Sequence, residues 1–359
     1  MAEGTQTWLS RYVDDASGTD RFQARKDHLA LLSAGLMGEA GSILAEIKKM
    51  SREADAYPAY RHRLVEEIGD FLWYYGRVVS ATDRNLLDRL AAHSSSVPCK
   101  ADSLRTSLAF GSSVGRVLDV ISDGRQTELG AALEGVWDKL LAVARNSGVL
   151  LEEAAGANLR KIRSRWPNER VFHGLFDENY PIEEQIPRRL VIDFVERSRG
   201  SRIEVLLRCH DVGMGDRLTD NIADADGYRY HDIFHIANAV FLGWSPVVRA
   251  LLHCKRKSAP NVDENQDGAR AAVVEEAVAA IVFSRAKRMR FFEKMAEVDY
   301  DLLKSIGDFV AGFEVEQVSL WQWERAILEG FKIFRLLRSG SGGRVSWDLR
   351  LRTLDWAPL

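Results

Sequence analysis

The chain has 359 residues, 46% hydrophobic and 28% charged, with a formal net charge of −3. That composition suits two packed domains, and its near-neutral balance gives no global field toward nucleic acid or an anionic membrane surface. Three scattered cysteines, Cys99, Cys209 and Cys254, exclude a disulfide framework and a Cys-x-x-Cys zinc cluster. The opening MAEGTQTWLSRYVDD lacks a basic start with an apolar run, and no window approaches an uninterrupted membrane span. A cytoplasmic location is the simplest expectation.

The stretch TWLSRYVDDAS predicts a first helix, and FQARKDHLALLSAGL runs into a second. In GLMGEAGSILAEIKKM the apolar residues Leu36, Ile43, Leu44 and Ile47 recur at helical spacing, as do Leu64, Ile68, Phe71 and Leu72 in RHRLVEEIGDFLWYYG. Between them SREADAYPAY supplies a turn, so the two helices fold back on each other. Acidic residues sit inside these apolar faces. Glu39 and Glu46 are two turns apart and project the same way, and Glu67 and Asp70 share a face at i, i+3. Four carboxylates converging between packed helices require a cation, and oxygen-only ligands point to Mg²⁺ or Mn²⁺. The plainer reading, solvated faces of amphipathic helices, suits a single acidic pair better than two pairs on adjacent helices. Trp73 and Tyr74 follow on the second helix. They are either core aromatics or a platform on which a base stacks.

GEAGSILAEIKK followed by LVEEIGDFLWY resembles the all-α nucleoside triphosphate pyrophosphohydrolases of the MazG family. These carry a Glu-x-x-Glu helix followed by a Glu-x-x-Asp helix. The resemblance covers Glu39, Glu67 and Asp70, and departs at Ser42, where the family usually has its second glutamate. Either Glu46 replaces that ligand or Ser42 holds a metal-bound water. The resemblance implies magnesium-dependent cleavage of nucleoside triphosphates into monophosphate and pyrophosphate.

Residues 83–100 read as a polar, Ser-rich connector ending in HSSSVPCK, followed by helices over about 101–122 and 127–147. GVLLEEAAGANLRKIRSRWPNER then resembles the family's last helix, with Asn158, Lys161 and Arg165 on one face. Lys161 and Arg165 suit a triphosphate, one as a point charge and one as a fork, and Asn158 can contact sugar or base. The alternative is an ordinary basic helix end complementing its dipole.

After Tyr180-Pro181 the pattern changes. RRLVIDFVERSRGSRIEVLLRC alternates as a β-hairpin, and Val345, Trp347, Leu349 and Leu351 alternate again after SGSGG as a strand that returns beside it. The expected fold is therefore mainly α, with an all-α MazG-like bundle over 1–180. An α-rich domain with a small antiparallel sheet would follow over 181–359. VVEEAVAAIVF and LLKSIGDFVAGF echo the acidic helices: Glu39 and Asp70 stand 31 residues apart, Glu276 and Asp308 stand 32 apart. The echo is either a degenerate repeat or a chance likeness of two amphipathic helices. His231 and His235 stand one turn apart beside Asp232. They could serve as metal ligands in an HD-type hydrolase, but a pair of core histidines bonded to Asp216, Asp220 or Asp232 is the plainer reading. The basic group Arg249, Lys255, Arg256 and Lys257 is a candidate phosphate or nucleic-acid contact, or simply solvated. GDRLTDN, YRYHDIFHIANAVFLGWSPVVR and WQWERAILEGF resemble the C-terminal domain fused to some MazG-like proteins.

The expected activity is metal-assisted triphosphate hydrolysis. Glu39, Glu67 and Asp70, with Glu46 or Ser42, would hold Mg²⁺, and Glu66 or Glu46 would take the proton of the attacking water. Lys161 and Arg165 would grip pyrophosphate. Such sites are completed by a facing helical pair, so a homo-oligomer, most simply a dimer, is expected, with no membrane or nucleic-acid partner. The rival reading is a regulatory or adaptor protein that binds Mg-nucleotide without efficient turnover.

Overall fold

A computed structural model describes residues 6–93, 103–200 and 202–359, which divide into two compact units between Asn168 and Glu169. Among the described residues the chain is mainly helical, with one antiparallel sheet in the second unit.

The first unit runs α1 (Trp8–Ser17), α2 (His28–Glu53), α3 (Tyr60–Thr82), α4 (Leu86–Ala92), α5 (Ser103–Ser122), α6 (Gln126–Asn146) and α7 (Leu151–Arg165). Thr7 caps α1 by accepting a hydrogen bond from the Ser10 amide. A short 3₁₀ turn, Ala54–Ala56, reverses the chain between α2 and α3, with Ala54 at φ 45°. α2 buries Leu32, Leu36, Ala40, Ile43 and Ile47, and packs against α3 and α5. α3 is buried on more of its circumference because it meets both α2 and α7. Around it Phe71, Tyr75, Trp137 and Phe110 form an aromatic column with ring centroids 5.0–5.9 Å apart.

Two expectations change here. By length and mean hydropathy α2 is apolar enough to cross a membrane, although no such window is expected from the sequence. In this fold its apolar stripe is covered by neighbouring helices. Part of the 83–100 connector is helix α4, because Leu86, Leu87 and Leu90 are buried. Residues 94–102, including Cys99, lie outside the described residues.

The second unit runs β1 (Arg189–Arg199), β2 (Arg202–Cys209), β3 (Val212–Leu218), α8 (Asp232–Leu242), α9 (Pro246–Leu251), α10 (Pro260–Asn265), α11 (Ala269–Lys287), α12 (Tyr300–Val310), α13 (Leu320–Gly340), β4 (Gly342–Asp348) and β5 (Thr353–Ala357). The sheet order is β3-β2-β1-β4-β5. The hairpin pairs Phe194 with Leu207, and β4 returns beside β1 with Val345 opposite Ile192. Two further strands enlarge the expected sheet. β3 follows a tight turn at His210 and Asp211, both at positive φ, and β5 follows an Asp348 turn that ends β4 before Leu349 and Leu351. α8 and α13 pack together, and α13 also meets β4 and β5. Phe234, Phe283, Phe291, Phe331 and Phe334 fill the space around these helices.

The units part earlier than residue 180. Phe172, Leu175 and Phe176 pack on the second core, and Asp177 is buried there, accepting from Arg249 and the Ile186 amide and ion-paired with Arg188. The echo helices α11 and α12 have 19 and 11 residues, against 26 and 23 in α2 and α3.

Candidate functional site

Glu39 lies on the half-buried face of α2; Glu67 and Asp70 lie on that of α3. One oxygen from each of the three falls within 4.8 Å of the others. The backbone approach that allows this depends on small residues. A Cβ on Gly35 would stand 2.1 Å from the Tyr74 ring, and one on Gly69 would stand 2.7 Å from the Ala154 carbonyl oxygen of α7.

α7 reaches the cluster through Asp70. The Asn158 amide donates to Asp70 Oδ1 at 2.8 Å, and Lys161 Nζ pairs with the same oxygen. Tyr12 of α1 donates to Asn158 Oδ1 at 2.8 Å, so three elements converge on one carboxylate. The negative field reaches the surrounding phenols. Tyr12 is pushed well up by burial and then by Asp70, and Tyr74 is raised by burial, then Glu39, then Asp70.

The remaining expected site residues are placed differently. Glu46 accepts from the Tyr57 hydroxyl at 2.5 Å and is outside the carboxylate group. Seven residues along a helix are about 10 Å of rise, so its direction matches Glu39 but its height does not. Glu66 faces Arg63 at 3.7 Å. Trp73 donates its Nε1–H to Thr19 at 2.9 Å and packs edge-on to Tyr74, which makes it part of the core's margin rather than a stacking platform. Asn158 is buried between Tyr12 and Asp70, so it holds the carboxylate instead of reaching a sugar. Arg165 is buried with its guanidinium 4.6 Å from the Trp166 ring centroid. Tyr12 and Tyr57 were missed by the sequence reading. Nothing local to either residue marks it as a partner of the acidic helices.

In the second unit the two arginines of the basic group turn into the core, while Lys255 is half-buried and Lys257 exposed. Arg249 and Arg256 are each 1% exposed. Arg249 donates to Asp177, and Arg256 donates to Asp267 and Glu314, so neither is offered to phosphate or nucleic acid. Asp220 binds Arg229 and the Gly227 amide, and among the described residues it is not a histidine partner. His231, Asp232 and His235 bring one ligand atom each within 4.8 Å of the others. Burial opposes charge on His235, but Glu275 and then Glu276 outweigh it and push its ring up to about 10.

The fold and the carboxylate group define the class: a two-unit, mainly helical protein whose first unit carries an acidic site on a helical hairpin. A family model described as the MazG C-terminal domain matches residues 171–359, more than half of the chain, and the chain belongs to that family. The family is of the nucleotide pyrophosphatase type. No curated protein and no solved structure matches the chain.

Proposed function

We propose that the first unit is a nucleoside triphosphate pyrophosphohydrolase, cleaving between the α and β phosphates to give monophosphate and pyrophosphate. The observation that carries this reading is the meeting of Glu39, Glu67 and Asp70 within 4.8 Å. Three carboxylates so close, with Asn158 and Lys161 orienting Asp70, offer the cluster of oxygen donors that a hard divalent cation prefers. Mg²⁺ is the proposed ion, with Mn²⁺ as its substitute. When bound, it polarises phosphate oxygens and lowers the pKa of a water. The chain's own residues hold the geometry: Asn158 and Lys161 orient Asp70, and Tyr12 orients Asn158. A carboxylate of the cluster accepts the proton of the attacking water. A homodimer with a second copy facing the site, in the cytoplasm, belongs to the same proposal; light scattering would show twice the chain mass.

The test is pyrophosphate release from a panel of ribo- and deoxynucleoside triphosphates with Mg²⁺ or Mn²⁺. Asp70→Asn and Glu67→Gln should each lower turnover by about 100-fold or more while keeping the far-UV spectrum. A second reading, Mg-nucleotide sensing without efficient turnover, is favoured by Ser42 and by the engagement of Glu46 with Tyr57, which leave the cluster at three carboxylates. It would show as a nucleotide-dependent rise in melting temperature with no pyrophosphate. Absence of both binding and turnover overturns both readings.

A further inference from the structure

His231 and His235 are both buried at the start of α8. The His231 ring stacks on Tyr228 at 4.5 Å, with Nδ1 2.9 Å from the Tyr228 carbonyl oxygen. A carbonyl only accepts, so Nδ1 carries a proton, and Nε2, 3.4 Å from Asp232 Oδ1, is the nitrogen placed to ligate. His235 is 1% exposed, and neither of its ring nitrogens has a hydrogen bond. Its Nδ1 faces Glu275 Oε1 at 3.1 Å, and its Nε2 faces Glu276 Oε2 at 3.3 Å. Glu275 is itself immobilised, accepting from Asn238, Ser245 and the Val247 amide at 3.0–3.1 Å. It therefore orients His235 through Nδ1 and leaves Nε2 turned to Glu276, where a metal ion would take the place of the second proton that the two carboxylates otherwise favour on the ring. Each ring is thus steered by an acceptor at Nδ1 while Nε2 faces a carboxylate, which is how proteins hold histidines that ligate metal.

The separations fit a metal site better than a simple ion pair. A charge-assisted hydrogen bond would draw nitrogen and oxygen to about 2.7–2.9 Å. Ligands about 2.1 Å from a tetrahedral ion stand about 3.4 Å apart, close to the 3.4 Å and 3.3 Å found at Asp232 and Glu276. We infer that His231, Asp232 and His235 hold a divalent transition-metal ion of the zinc class, with the Glu276 carboxylate beside them at His235 Nε2, distinct from the oxygen-ligated cation proposed for the first unit. Two imidazoles with a carboxylate favour such a borderline ion over magnesium. Glu276, on α11, is the half-exposed neighbour of the group, and the ion enters and exchanges past it. This site stands whether or not the first unit hydrolyses nucleotides.

The experiment adds Co²⁺ to the intact, chelator-stripped chain and follows the intense visible absorption of four-coordinate cobalt, then displaces it with Zn²⁺. One equivalent should bind. His235→Gln should abolish the band. Glu276→Gln, at a half-exposed position where the far-UV spectrum should be kept, should weaken binding by about tenfold or more. Glu67→Gln in the first unit should leave the band unchanged. If His235→Gln does not fold, Glu276→Gln decides. The inference is overturned if the intact chain gives no band, if Glu276→Gln binds as tightly as wild type, or if Glu67→Gln removes the signal.

Discussion

Asp70 takes two partners from α7 on a single oxygen, and one of them is held in turn by Tyr12. Tyr12→Phe removes the donor that fixes the Asn158 amide. It should cost about 1 kcal/mol of stability and lower Mg²⁺ affinity or turnover by roughly tenfold, measured as a cation titration of pyrophosphate release. Glu46→Gln, whose partner is Tyr57, should leave that titration unchanged. Glu39, Glu67 and Asp70 were legible in the sequence because i, i+3 spacing and apolar periodicity say which face a side chain occupies. Glu46 misled because periodicity reports direction around a helix and not height along it. The Tyr12–Asn158 link spans 146 residues and has no local signature.

At the level of elements, α3 and α7 touch through Gly69. Gly69→Ala sets a methyl group against the Ala154 carbonyl, which as backbone cannot turn aside. The helices must part, carrying Asn158 and Lys161 away from Asp70. The expected result is a destabilisation of about 1–3 kcal/mol with a fall in turnover larger than that of a comparable substitution at Gly38, where nothing lies within 4 Å of the added carbon. The amphipathic helices and the β1–β2 hairpin were readable because their patterns persist over many residues. β3, its apolar residues interrupted by Gly213 and Gly215, and the five-residue β5 carry too little pattern to read. In SGSGG, Gly342 and Gly343 belong to β4: a Cβ on Gly342 would lie 2.3 Å from the Phe194 carbonyl oxygen, and one on Gly343 2.0 Å from Trp356 Nε1. Those glycines serve close packing.

Across the whole molecule, charge is used in two opposite ways. In the first unit carboxylates gather on the facing sides of two helices, with Lys161 drawn to Asp70. In the second unit Arg249 and Arg256 are matched by Asp177, Asp267 and Glu314 in the interior. Replacing Arg256 with Met leaves Asp267 and Glu314 without their shared partner and should destabilise the second unit by about 3–5 kcal/mol, visible as a lowered calorimetric transition. These arginines looked like a surface patch because their carboxylates come from 11 to 72 residues away. The sheet has a comparable reach. Ile192 in its central strand waits for Val345, far along the chain, while one flank is supplied at once by β2. On the ribosome the first unit can therefore fold as it emerges. The second must carry an open strand edge until its last strands are made, so its synthesis is the interval in which this protein most depends on chaperones.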